Sequence, residues 1–75
     1  MNNDVKRDIK KKSQLIRGLV NLLKDDAEYI CADANDFDLV ALGISIDEIK
    51  DTVQRIVDNV AELEYALYLS KQDTR

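Results

Sequence analysis

The sequence predicts an all-α fold: a long antiparallel helical hairpin with a short connecting helix, dimerising into a four-helix bundle. Three observations carry that prediction. The chain has no proline and only two glycines in 75 residues, so few positions interrupt a helix. Apolar residues recur at seven-residue intervals in both halves, which is the repeat of packed helix faces. A helix-start signature, Ser45-x-x-Glu48, separates the two periodic stretches.

The first helix is expected over about residues 4–34. Asn2 to Asp4 offer its N-cap, and Ile9, Ile16, Leu23 and Ile30 form its central row. Val5, Leu19, Val20, Ala27 and Ala34 lie beside that row, with Leu15, Leu22 and Tyr29 on the other flank. The resulting face is wider than one partner helix needs and suits a helix with two neighbours. Gly18, inside this stretch, costs about 1 kcal/mol relative to Ala, which a close helix crossing or neutral drift would explain.

Residues 36–43 are expected to form a short helix or turn. Asp36 can cap a turn over Phe37 to Leu42, and Gly43 can end it in the left-handed conformation. The second helix then runs over 46–72, with a capping box between Ser45 and Glu48 and a hydrophobic staple between Ile44 and Ile49. Its expected seam is Ile46, Ile49, Val53, Ile56, Val60, Leu63, Leu67 and Ser70, in alternating steps of three and four. Leu42-Gly43-Ile44-Ser45 followed by Ile49 resembles the turn of helix-turn-helix DNA-binding domains. The departures are Leu39, where that motif favours a small residue, and Asp47-Glu48, which would repel phosphates at the start of a recognition helix. The resemblance therefore implies a shared turn without DNA reading.

A single domain is the limit of this length, and so short a chain buries only about 60% of its unfolded surface. Cys31 is the lone cysteine and there is no histidine. An intrachain disulfide and the usual zinc sites are thereby excluded, leaving oligomerisation as the expected support. Without histidine, and with serines only at 13, 45 and 70, the familiar nucleophile and base pairs cannot be assembled, and no enzyme is expected. No cofactor or metal site is expected either, and Cys31 is expected as a half-buried structural thiol. No signal peptide or membrane span is expected, so a cytoplasmic, reduced setting follows.

Charge is divided unevenly. Residues 1–24 carry seven basic and two acidic side chains, whereas residues 25–75 carry four basic and thirteen acidic, for a net charge of −4. The leading functional expectation is a non-catalytic protein-interaction module. This would be a small acidic helical adaptor or inhibitor that binds a larger protein through Asp47, Asp51, Asp58, Glu62, Tyr65 and Tyr68 on the second helix. The build is similar to that of many short bacterial and phage proteins that modulate larger machines. The alternative is a dimeric hairpin that grips RNA or DNA phosphates through a basic stripe of Lys6, Lys10, Arg17 and Lys24, similar to plasmid-type hairpin dimers that hold paired RNA loops.

Overall fold

A computed structural model describes residues 3–73 of the chain, apart from the side chain of Asp73. Two helices account for nearly all of it: α1 (Asn3–Asn35) and α2 (Leu39–Asp73). They pack against each other as an antiparallel hairpin, and no strand occurs among the described residues. The Cα envelope measures 57 × 14 × 12 Å, one helix thick and two helices wide. Asn2 lies outside the described residues.

Three residues reverse the chain. Phe37 sits in the left-handed region with φ of 54°, the amide of Phe37 donates to the Ala34 carbonyl (3.2 Å), and the amide of Asp38 donates to the Asp33 carbonyl (3.0 Å). This pair of bonds is a Schellman closure, with Phe37 at the position glycine usually holds. Asp38 then caps α2: its Oδ1 accepts from the Ala41 amide at 3.1 Å, and its carbonyl accepts from the Leu42 amide at 2.9 Å.

The expected short helix over 36–43 and restart at Ile46 are therefore corrected. Helix α2 begins at Leu39 and runs unbroken through Gly43, which has no positive φ. The Ser45–Glu48 capping box goes unused because Asp38 supplies the cap seven residues earlier. Ser45 instead turns inward. With no turn at Gly43, the helix-turn-helix resemblance has no structural counterpart. A Cβ at Gly18 would meet open space, so no close crossing explains that glycine.

The interface between the helices follows two rows on each. On α1, Ile9, Ile16, Leu23 and Ile30 alternate with Val5, Lys12, Leu19, Asp26 and Asp33, all at least half-buried. On α2, Ile49, Ile56, Leu63 and Ser70 alternate with Ser45, Thr52, Asn59 and Ala66. Four residues of the expected α2 seam are thus displaced: Ile46, Val53, Val60 and Leu67 are 43%, 45%, 38% and 49% exposed. The row that replaces them is small or polar because it faces Asp26 and Asp33. Thr52 Oγ1 donates to Asp26 Oδ2 at 2.7 Å, and Ser45 Oγ donates to Asp33 Oδ2 at 2.7 Å. No buried side-chain polar atom lacks a partner among the described residues.

Candidate functional site

The seam has two flanks, and they differ in chemistry. On one flank, shallow clefts are lined by Asp8, Lys12, Leu22 and Asp26 of α1 together with Glu48, Arg55, Glu62 and Leu69 of α2. Lys12 bridges the helices there, with Nζ 3.1 Å from Glu62 Oε2 and 3.7 Å from Asp8 Oδ1. The hydrogen bond to Glu62, reinforced by the charge of Asp8, holds the Lys12 ammonium above its ordinary pKa of 10.5.

The rows one step round from the seam on the opposite side define the second flank. On α2 these are Ile46, Val53, Val60 and Leu67; on α1, Lys6, Ser13, Val20, Ala27 and Ala34. From Ile46 to Leu67 they make a face about 30 Å long at 1.5 Å per residue, apolar except at Ser13. Sixteen large apolar or aromatic side chains are exposed among the described residues, and Ala66 is the single buried apolar one. Five of the sixteen, Val20, Ile46, Val53, Val60 and Leu67, lie on this face, and contiguous exposed apolar surface is what interaction surfaces present.

The acidic ridge lies on the outer side of α2. Asp47, Asp51, Asp58 and Glu62 are all exposed, but three of the four are engaged within the chain. Asp51 Oδ2 lies 3.2 Å from Arg55 Nε, Asp58 Oδ1 accepts from Gln54 Nε2 at 2.9 Å, and Glu62 holds Lys12. Asp51, Asp58 and Tyr65 are aligned at seven-residue spacing, and Tyr65 stacks on Tyr68 with ring centroids 6.5 Å apart and an interplanar angle of 23°. Both rings are exposed, at 63% and 57%. The expected binding residues thus share one side of α2, with the tyrosine pair at its C-terminal end.

The sequence matches no family model, no curated protein and no solved structure.

Lys10, Arg17 and Lys24 form one line along α1, bordering the apolar face, while Lys6 lies one row nearer the seam. All four are exposed, and none takes part in an ion pair among the described residues. Cys31 continues the line and is exposed, not half-buried as expected. No group of three potential metal ligands comes together among the described residues, and no helix is long and apolar enough to cross a membrane.

Sequence reasoning missed the hairpin tip. Phe37, Leu39 and Val40 are 84%, 73% and 78% exposed, and the left-handed Phe37 is a strained apolar residue held in the open. The signal available in the sequence was Asp38, whose spacing to Ala41 permits an N-cap there as readily as at Ser45.

Proposed function

We propose that this chain is a non-catalytic protein-interaction module that holds a larger protein partner through the outer side of α2. The stacked, exposed pair Tyr65 and Tyr68 carries this reading. Tyrosines give large contact area at small entropic cost and are enriched among the residues that dominate interface energetics. Asp47, Asp51, Asp58 and Glu62 beside them supply an acidic field that steers a basic surface into contact.

A second reading is supported by a different observation, the line of cations Lys10, Arg17 and Lys24, none of which is ion-paired among the described residues. Such a line tracks phosphates, and no aromatic residue shares it, so base stacking has no part. Its basic edge would read nucleic acid by charge and shape.

Retention experiments on the immobilised full chain separate the two. A protein partner is expected to be retained by the native chain, to lose about 30-fold or more in affinity on the double change Tyr65→Ala and Tyr68→Ala, and to be released by Asp51→Lys with Asp58→Lys. Unchanged retention by both double variants would sink the acidic-ridge mechanism. Retention of nucleic acid that falls steeply with salt and vanishes on Lys10→Glu with Arg17→Glu would establish the second reading in its place.

A further inference from the structure

We propose that the apolar face of the hairpin is covered by a second copy of this chain, related by a two-fold axis that passes beside Val57 and sets α2 antiparallel to its counterpart. This goes beyond the partner contact above, since it concerns the other side of the molecule.

Three observations converge. The hairpin has no interior of its own: it is one helical layer whose only buried apolar side chain among the described residues is Ala66. A layer of packed helices needs a second layer over its apolar side. The face itself is long, with β-branched and leucine side chains on α2 against Ser13, Val20 and two alanines on α1. Its length of about 30 Å and a width near 20 Å would bury roughly 600 Å² per copy, or about 1,200 Å² in all, which is the range of specific interfaces.

The charge pattern then selects the occupant. Next to the apolar row of α2 runs the exposed row Lys50, Val57, Glu64. Lys50 lies seven residues before Val57 and Glu64 seven after it. When α2 meets a second α2 antiparallel about Val57, Val57 faces itself, Lys50 faces Glu64 of the second copy, and Glu64 faces Lys50 of the second copy. The apolar row obeys the same symmetry, with Ile46 against Leu67 and Val53 against Val60. The α2 half of the face is thus complementary to itself under a two-fold rotation, as an isologous dimer requires. On the α1 edge the same axis passes level with Asn21, between Arg17 and Lys24, and it lays the two lines of Lys10, Arg17 and Lys24 side by side, a like-charge repulsion that the apolar contact and the Lys50–Glu64 pairs must outweigh.

The mass in solution tests the occupant, and cross-linking and charge exchange test the arrangement. The native full chain is expected to have about twice the 8.6 kDa chain mass at micromolar concentration. In a Cys31→Ser background, Val57→Cys is expected to form a disulfide-linked dimer on mild oxidation, and Asp58→Cys on the outer side is not. Lys50→Glu or Glu64→Lys alone is expected to weaken the dimer about tenfold, and the two together to restore it. These exposed substitutions keep the test valid if the cysteine variant fails to fold. A monomeric mass throughout would leave the face to a different protein and overturn the proposal, as would a mass above the dimer. A dimer with no Val57 cross-link from a folded variant, or with no restoration by charge exchange, would overturn the two-fold arrangement. Each of these results leaves the Tyr65 and Tyr68 contact to be judged by its own retention assay.

Discussion

Thr52 donates a 2.7 Å hydrogen bond from α2 to the buried carboxylate of Asp26 on α1, at the middle of a seam that also sets Ser45 on Asp33. The Glu48 carbonyl lies 3.1 Å from the same hydroxyl. The single hydroxyl proton is directed to the charged acceptor because a bond to a charged group is the stronger one.

Removing that donor leaves Asp26 buried without it. Thr52→Val, which keeps the shape and removes the hydroxyl, is expected to destabilise the hairpin by about 2 kcal/mol. Combining it with Asp26→Leu is expected to return stability to the native value or above, because an apolar pair carries no desolvation penalty. Urea unfolding at one fixed protein concentration measures both. A single variant within about 0.5 kcal/mol of the native chain would mean that the carboxylate finds water.

Phe37 holds a backbone conformation that costs a residue with a Cβ about 1 kcal/mol. Its ring is 84% exposed, so little packing opposes a change. Phe37→Gly is expected to raise stability by about 1 kcal/mol, whereas Phe37→Ala, which keeps the Cβ, is expected to give none of that gain. Equal thermal midpoints for the glycine and alanine variants would refute the assignment of strain.

Lys12 predicts an alkaline limb. Glu62, first, and Asp8 favour its charged form in the folded hairpin, so the folded state binds that proton more tightly than the unfolded one. Stability from this source is complete below the ordinary lysine value of 10.5 and is lost as pH rises above it, through the raised folded value. Glu62→Gln is expected to be less stable than the native chain at neutral pH, with the difference shrinking above pH 10.5. A difference that holds constant through that range would show that the ammonium contributes nothing.

The helical hairpin was legible because Ile9, Ile16, Leu23 and Ile30, and again Ile49, Ile56 and Leu63, mark one row on each helix without ambiguity. The second row of α2 was not. Apolarity drew it through Ile46, Val53, Val60 and Leu67, while the structure draws it through Ser45, Thr52, Asn59 and Ala66. The hydropathy of one helix cannot reveal that its neighbour presents Asp26 and Asp33 at the facing positions. That information lies in the other half of the chain, where these acids share the seven-residue spacing of the small and polar row. The turn was misplaced for a local reason. Ser45 with Glu48 and Asp38 are both competent caps, and Gly43 weakens a helix without breaking it. The Schellman closure at Phe37 decided between them, and a left-handed phenylalanine has no sequence signature. That Asp47, Asp51, Asp58, Glu62, Tyr65 and Tyr68 share one side of α2 follows from their spacing alone, but the pairing of Asp51 with Arg55 and of Glu62 with Lys12 needed the structure.

The ladder of cross-helix bonds carries a kinetic meaning. Ser45 and Asp33 are separated by 12 residues, Thr52 and Asp26 by 26, and Lys12 and Glu62 by 50. Since each doubling of a loop adds only about 0.6 kcal/mol of closure entropy, forming the tip bond first makes every later one an extension of an existing loop and not a fresh encounter. The hairpin is expected to close like a zip from Phe37 outwards, and folding rates that respond strongly to changes at Asp33 and weakly to changes at Lys12 would be the signature of that order.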